Sequence, residues 1–260
     1  MTRDVEPHRA AHVAVESEPM SQAMQAQQKH NPTDSNPMNE APYEPEPIRH
    51  TGVPYYTQWG SPEWVRPIVE DGADPCDDPA WMRSGVVDPE RYRFWAKRLC
   101  GLTCLESALD FWRIAHVPRA TLLDDALRHD VYRMRDDGGV DGLIYRPFAN
   151  WVAAEFGLQA DVLTDIAIED IAARIDSETL VIVSVSPEVR YPDRPNSRRG
   201  GHLILLHGRD RDGVWFHNPS GVAPYQQEAY LPFDVLDGFY ARRGIAVTRV
   251  TAAQYPAAPA

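Results

Sequence analysis

The hydrophobic positions of this chain follow a helical period in its first half and a strand period in its second half. From Cys100 to about Ala115, apolar residues recur at three- and four-residue spacing, and Pro118 bars further helical hydrogen bonding. This pattern predicts an amphipathic helix. The same reasoning predicts further helices that begin at Asp88-Pro89-Glu90 and that span about 120–135, 144–156 and 167–176.

The second half of the chain is typical of strands. Thr179 to Ser186 is a nearly unbroken run of β-branched and apolar residues, as in a buried strand. Shorter strands are expected at 53–59, 202–207, 214–217 and 245–250, with a hairpin turn at 210–213. Helices followed by an antiparallel sheet predict an α+β fold, in one domain over residues 49–255.

Two segments break this pattern. Residues 1–48 are rich in Pro, Gln, Asn, Ser and Glu, and they hold eight acidic against three basic residues. Such a composition cannot bury enough apolar surface to offset chain entropy, so we expect a disordered acidic tail. Residues 60–98 carry five prolines and are expected to form an irregular insertion between Gln58 and Cys100.

Charge and cysteine content exclude several classes of function. A net charge of −12 gives the protein no electrostatic reason to bind nucleic acid or an anionic membrane. No apolar run approaches the ~20 residues that span a bilayer, and the first residues lack the apolar core of a signal peptide. We therefore expect a cytoplasmic protein. Cys76, Cys100 and Cys104 show no zinc-binding spacing, so no metal or cofactor is expected.

Four polar residues stand where chemistry could occur. Cys100 opens the clearest helix, where free N–H groups and the helix dipole favour a thiolate below the usual pKa of ~8.5. His202 follows two glycines and opens an apolar strand, and Asn218 ends the next strand before Pro219. Gln58 closes the first aromatic segment. Cysteine, histidine, asparagine and glutamine can fill the roles of nucleophile, base, orienting group and oxyanion donor.

The chain resembles the papain-fold cysteine peptidases of the bacteriocin-processing, double-glycine-leader type and their stand-alone relatives. The matching segments are Val-Pro-Tyr-Tyr-Thr-Gln (53–58), Cys-Gly-Leu-Thr-Cys-Leu (100–105), Gly-Gly-His-Leu-Ile-Leu-Leu-His-Gly (200–208) and Val-Trp-Phe-His-Asn-Pro (214–219). By this resemblance Cys100 would be the nucleophile and His202 the general base and acid. Asn218 would orient His202, and Gln58 and the N–H of Cys100 would bind the oxyanion.

The chain departs from the family pattern at two points. Asn218 stands where the family usually has Asp, so the orienting group carries no charge. The 41 residues between Gln58 and Cys100 exceed the family spacing and could narrow the cleft. Substrate contacts are expected at Trp59 and in the flexible backbone at Gly101 and Gly201. Arg198 and Arg199, in a basic loop, could bind a substrate carboxylate or phosphate. The alternative is that these residues are part of a charged, solvent-exposed stretch without a ligand.

Three functions remain open from the sequence. The first is a peptidase or amidase that acts through a thioester on Cys100. The second is an acyltransferase that uses the same site to form an amide in peptide natural-product biosynthesis. The third is a peptide-binding module that keeps the cleft without turnover, which the neutral Asn218 leaves possible. The expected partner is a peptide, amide or thioester, and the sequence does not indicate an oligomeric state.

Overall fold

The computed structural model describes residues 46–250. Nearly all of the predicted acidic tail, residues 1–45, lies outside the described part of the chain, as do residues 251–260. No helix in the described part is both long enough and apolar enough to cross a membrane.

The core of the fold is a seven-stranded antiparallel sheet. Six strands run in the order β4-β9-β5-β6-β7-β8, and β1 pairs with the far end of β6. A separate two-stranded ribbon pairs β2 with β3. The strands are β1 (Ile48–Arg49), β2 (Arg133–Met134), β3 (Val140–Asp141), β4 (Leu158–Thr164), β5 (Thr179–Val185), β6 (His202–Arg209), β7 (Gly213–His217), β8 (Ala229–Pro232) and β9 (Tyr240–Arg249).

Helices cover both faces of this sheet. In the described residues they are α1 (Val65–Glu70), α2 (Pro89–Trp95), α3 (Cys100–Phe111), α4 (Arg119–Arg128), α5 (Tyr145–Phe156), α6 (Ile168–Ala172) and α7 (Phe233–Asp237). Helices α3, α4 and α5 pack on one face and α6 and α7 on the other. Helices precede most of the antiparallel sheet along the chain, so the predicted α+β class is confirmed.

The position of strand β5 in the fold explains why its sequence is so largely apolar. All seven of its residues are buried. Leu180 and Ile182 contact the core on the α3 face, whereas Val181, Val183 and Val185 contact the core on the α6 face. A strand covered on both sides needs apolar residues at every position, because successive side chains point to opposite faces.

Several predicted helix ends follow from local chemistry. Asp88 caps α2 by accepting a hydrogen bond from the N–H of Glu90 at 3.0 Å, with Pro89 at the first helical position. Gly157 ends α5 in the left-handed conformation, at φ +64°. The hairpin turn at Asp210 is also present, since its carboxylate accepts the N–H groups of Asp212 and Gly213.

Other predicted boundaries were wrong. Helix α3 ends at Phe111 rather than near Ala115, and α4 ends at Arg128 although its pattern was expected to continue to 135. Residues 53–59 form no strand, because their backbone contacts a loop rather than a sheet edge. Strands β4 and β8 were not predicted at all. In both, contacts with neighbouring strands outweigh a weak local pattern.

The insertion at 60–98 is more ordered than its prolines indicated. It contains α1, α2 and several 3₁₀ turns. Val65, Val86 and Tyr92 form a small third core with Trp59, and Trp81 packs on it. Asp78 is fully buried and accepts hydrogen bonds from the N–H and hydroxyl of Ser61 at 2.6 Å. The insertion is therefore packed against the segment that carries Gln58.

The start of the domain lies earlier than the expected boundary between residues 48 and 49. Ile48 pairs with Arg209 and packs on the α6-face core. Arg49 forms an ion pair with Glu228 at 2.6 Å. These contacts make β1 part of the sheet rather than part of the tail.

We expect that deleting residues 1–45 leaves the thermal midpoint of unfolding within a few degrees of that of the full chain. Deleting residues 1–50 should cost about 1–3 kcal/mol, because it removes the β1 pairing, the Ile48 contacts and the Arg49 ion pair. Differential scanning calorimetry of both truncations tests this. Equal midpoints for the two would show that β1 does not stabilise the domain.

Candidate active site

A pocket of about 570 Å³ lies where the start of α3 meets the start of β6. Cys100, His202 and Gln58 all line it, although they come from distant parts of the sequence. Trp59 and Gly201, which were predicted to contact substrate, also line it. The volume is that of a typical small-ligand or peptide-side-chain site.

Cys100 is the first residue of α3 and remains partly exposed. No side chain caps this helix, since the preceding Leu99 cannot do so. The first N–H groups of the helix therefore point into the site without an internal partner. Gly101, by contrast, faces protein: a Cβ there would lie 2.4 Å from Leu143 and 2.8 Å from Leu203. Its small size thus serves packing of α3 on β6.

His202 is the first residue of β6 and is buried. Gly200 and Gly201 lead into it at φ +78° and +96°, a backbone conformation that side-chain-bearing residues rarely adopt. The ring Nε2 of His202 lies 2.8 Å from Oδ1 of Asn218, which follows β7. The pairing of β6 with β7 therefore brings these two side chains together.

The hydrogen bonds around Asn218 determine the tautomer of His202. The N–H of Ser220 donates to Oδ1 of Asn218 at 3.1 Å, so the oxygen of this amide faces the imidazole. An amide oxygen can only accept, and Nε2 of His202 therefore carries the proton. Nδ1 is left with its lone pair free. This is the tautomer that a base acting on a neighbouring thiol requires.

Gln58 is held beside Asn218 by the loop that follows it. The backbone N–H of Gln58 donates to the carbonyl of Pro219 at 2.9 Å, and the hydroxyl of Thr57 donates to the same carbonyl at 3.0 Å. Tyr55 donates to the carbonyl of Asn218 at 3.2 Å. The side chain of Gln58 is buried, and its Oε1 has no hydrogen-bond partner among the described residues. This acceptor oxygen is therefore available to a hydrogen-bond donor of a bound group.

Burial opposes charge on both members of the proposed pair. Desolvation raises the pKa of the Cys100 thiol to about 11, against smaller opposing effects of the N–H groups of Leu203, Gly101 and Cys100 itself. Desolvation lowers the pKa of His202 to about 4, with the Asn218 hydrogen bond acting against it. Desolvation thus favours the neutral form of each group and acts against the thiolate that the helix start was expected to favour.

The other two cysteines lie apart from the pocket lining. Cys104 is buried one turn further along α3, and burial raises its pKa well above the usual value. Its Sγ contacts the carbonyl of Leu203 at 3.9 Å. Burial also raises the pKa of Cys76, in the insertion. Cys104 therefore serves packing, as its spacing predicted.

Arg198 and Arg199 do not line the pocket. Arg198 lies 3.6 Å from Glu188, and Arg199 donates to the carbonyl of Tyr240 at 3.0 Å and lies 3.5 Å from Asp237. The same loop instead supplies Arg190, which lines the pocket and donates to Ser220 at 2.8 Å. The hydroxyl of Ser220 lies 3.2 Å from Nε2 of His202. Sequence reasoning missed Ser220, because a serine in a turn carries no distinguishing signal.

Among the described residues, one group has the composition of a metal site: His207, His217 and Glu228. His217 cannot serve as a neutral ligand there. Its Nδ1 accepts the N–H of Glu228 at 3.1 Å, and its Nε2 faces the carbonyl of Val53 at 2.9 Å. Both ring nitrogens are thus used by the backbone. The imidazole rings of His207 and His217 are tilted by 41°, with centroids 4.5 Å apart, and we interpret them as part of the core.

The comparisons with known proteins agree with this geometry at the level of the fold. No family model matches the chain, and no curated protein does. Among solved structures, the chain is similar to a candidate C39-like peptidase from Bacillus anthracis, with 12% identity, a TM-score of 0.50, and coverage of 80% of this chain and 100% of that one. It is also similar to a double-glycine-motif protease from an AMS/PCAT transporter, solved with its leader peptide, with 13% identity, a TM-score of 0.40, and coverage of 58% and 84%.

The neutral resting pair predicts the pH dependence of Cys100 alkylation. We expect the rate of reaction with iodoacetamide to rise about tenfold per pH unit from pH 6 to pH 9, because the thiolate fraction rises toward a pKa of about 11. Peptide mapping by mass spectrometry gives the rate for each cysteine. A rate for Cys100 that is already constant between pH 6 and pH 7 would contradict this and indicate a resting ion pair.

The buried His207 predicts a loss of stability in acid. Desolvation first, and then the neighbouring His217, lower its pKa to about 4, below the unfolded value of ~6.5. Between these values the unfolded chain binds a proton that the folded chain does not, so stability falls as pH falls. We expect His207→Leu to reduce the loss of unfolding free energy between pH 7 and pH 5 by about 1–2 kcal/mol.

Urea unfolding at both pH values measures this difference. The control is His116→Leu, since the side chain of His116 is 76% exposed and should leave the loss unchanged. An unchanged loss in His207→Leu would show that folding does not lower the pKa of His207.

Proposed function

We propose that this protein is a cysteine peptidase or amidase in which Cys100 attacks a peptide carbonyl. His202 is the general base and acid, Asn218 orients His202, and Gln58 together with the N–H of Cys100 binds the oxyanion. The fold shared with a C39-like peptidase supports this reaction class by analogy. The residue roles rest on the geometry of the pocket.

The observation that carries the proposal is the hydrogen bond between His202 and Asn218. It leaves Nδ1 of a buried imidazole unprotonated in a pocket that a helix-starting cysteine also lines. A histidine that served only packing would not need an orienting amide whose own direction is held by Ser220. Nucleophile, base and orienting group with these contacts match the requirements of thiol catalysis.

The reaction begins with proton transfer, because the resting pair is neutral. Nδ1 of His202 takes the proton of the Cys100 thiol as sulfur bonds to the substrate carbonyl carbon, and the carbonyl oxygen becomes an oxyanion. The amide N–H of Gln58 and the N–H of Cys100 donate to that oxygen. Asn218 accepts from Nε2 of the imidazolium, which stabilises it without a full negative charge.

The intermediate collapses when the carbon–nitrogen bond breaks. His202 gives its proton to the departing amine, and the acyl group remains on Cys100 as a thioester. Water then loses a proton to His202 and attacks the thioester, which releases a carboxylic acid and restores the thiol. An amine in place of water would give a new amide, which is the acyltransferase alternative.

A peptide-binding module is the second candidate, and the pKa values favour it. Proton transfer from a thiol with a pKa near 11 to a histidine with a pKa near 4 is unfavourable before substrate binds. Such a cleft could bind a peptide without cleaving it. The three free cysteines fit a reducing compartment, and we propose the cytoplasm for either function.

An activated ester tests the catalytic proposal without knowledge of the natural substrate. With p-nitrophenyl acetate we expect a burst of nitrophenolate and an acetyl group on Cys100 in the mass spectrum. Cys100→Ala should abolish the burst, His202→Ala should slow it ~10²–10⁴-fold, and Gln58→Ala ~10²–10³-fold. Cys76→Ala is the matched control and should retain the wild-type burst.

Circular dichroism of each variant verifies that the fold is intact. Absence of acetyl-Cys100 in the folded wild-type protein would support the binding module instead. Adding hydroxylamine to the acylated enzyme and identifying the product distinguishes transfer to an amine from hydrolysis.

A further inference from the structure

The pocket has an unusual charge for this protein. The whole chain holds 38 acidic against 26 basic residues. The residues that line the pocket nevertheless include four cations, Lys97, Arg98, Arg190 and Arg243, and no aspartate or glutamate. A cleft lined by charges of one sign concentrates ligands of the other sign.

None of these four cations pairs with a carboxylate in the part of the chain that the structure describes. Within residues 46–250, no ion pair closer than 4 Å involves any of them. Two are held by aromatic rings instead: Arg98 lies 4.1 Å from the ring centre of Phe94, and Arg243 lies 5.7 Å from that of Tyr145. Contact with a ring holds a guanidinium in place and leaves its positive charge uncompensated.

Arg190 is the cation closest to the proposed chemistry. It donates to Ser220 Oγ at 2.8 Å, and this oxygen lies 3.2 Å from Nε2 of His202. Its own Nε is buried and has no hydrogen-bond partner among residues 46–250. Arginine presents several donors in a planar fork that matches the two oxygens of a carboxylate. A guanidinium with an unused buried donor is therefore suited to bind a carboxylate.

The acidic residues nearest to Arg190 have other partners. Glu188 accepts the hydroxyl of Ser186 and lies 3.6 Å from Arg198. Glu70 accepts the hydroxyl of Tyr191 and pairs with Arg66 at 3.4 Å. The charges of Glu188 and Glu70 act to raise the pKa of Arg190, but desolvation by burial lowers it more strongly. Neither carboxylate forms an ion pair with the Arg190 guanidinium. The charge of Arg190 therefore remains available on the pocket side.

We propose that the cleft selects acyl donors that carry a carboxylate next to the reacting carbonyl, with Arg190 as its main partner. This inference rests on the proposed function and adds the substrate class: an acidic peptide. The carboxylate could belong to an Asp or Glu side chain or to the C-terminus of a short peptide. Arg98, Arg243 and Lys97 extend the same positive charge along the cleft.

Two alkylating reagents of nearly equal size test the charge of the cleft. Iodoacetate is an anion and iodoacetamide is neutral, and both report on the same sulfur. We expect Cys100 at pH 8 to react with iodoacetate at a higher rate, relative to iodoacetamide, than free glutathione does. Arg190→Gln should lower that ratio about tenfold and Arg243→Gln by less, because each removes one nearby cation.

The matched controls are Arg198→Gln and Arg199→Gln. Both remove the same charge from the same region, but they lie outside the pocket lining and contact Glu188 and Asp237. The ratio should stay within about twofold of wild type in both. A wild-type ratio at or below that of glutathione, or equal losses in Arg190→Gln and the controls, would overturn the proposal.

Binding to Cys100→Ala distinguishes this proposal from the catalytic one. Titration calorimetry compares three peptides: acetyl-Ala-Asp-Ala-Ala-amide, its Asn analogue, and the Asn analogue with a free C-terminal carboxylate. Tighter binding of the first by about tenfold identifies a side-chain carboxylate, and tighter binding of the third identifies the C-terminus. Equal affinities, or no binding of any peptide, would overturn carboxylate selection.

The two proposals fail in different ways. If Cys100 resists both reagents and p-nitrophenyl acetate, the catalytic function is overturned, whereas the calorimetric comparison still decides carboxylate selection. Suppose instead that Cys100 is acetylated but its ratio of iodoacetate to iodoacetamide rates equals that of glutathione. The proposed catalytic function is then supported, and the acidic substrate class is overturned.

Discussion

The packing of α3 onto β6 is the contact on which the site depends. Gly101 lies so close to Leu143 and Leu203 that a Cβ there would force these leucine side chains to move, and this lets the helix start lie next to the strand start. Cys100 directly precedes Gly101 in the sequence, and His202 directly precedes Leu203. The core that fixes the helix against the sheet, with Leu102, Leu105 and Leu205 in it, therefore also fixes the proposed nucleophile and base.

The same packing has an electrostatic cost. Closely packed protein atoms desolvate both groups, which raises the pKa of Cys100 and lowers that of His202. A thiolate–imidazolium pair in this environment would need partners for both charges. Asn218 supplies a dipole where a carboxylate would supply a charge, so in the proposed mechanism the pair stays neutral until a substrate carbonyl accepts the electron pair of sulfur. The orienting residue thus decides when charge develops as well as where the imidazole points.

Charge is distributed very unevenly in this molecule. The chain as a whole is acidic, and its surface arginines are mostly paired with carboxylates, whereas the cations in the cleft contact aromatic rings and a hydroxyl. Such an arrangement is costly for stability, since Arg98 and Arg190 are desolvated enough to lower their pKa values. Cations held at such a cost without a carboxylate partner among the described residues are more typical of binding than of folding.

The sequence by itself determined the elements and residues with strong local signals. The period of α3, the Asp88-Pro89 start of α2, Gly157 after α5 and the apolar run of β5 each reflect local chemistry, and Cys100, His202, Asn218 and Gln58 stood out as polar groups at element ends. Strand β4 depends on β9, which lies far along the chain, and β8 depends on its pairing with β7, so their local patterns could not reveal them.

Only the tertiary structure decided which polar groups meet and how charged they are. Four arginines in one loop look alike in sequence, yet Arg190 alone among Arg190, Arg194, Arg198 and Arg199 lines the pocket. The helix start favoured a thiolate at Cys100, but burial, which depends on every element packed around the thiol, has the larger effect. Hydrophobic periods and caps act over a few residues, whereas desolvation and charge pairing sum over neighbours that the fold brings together.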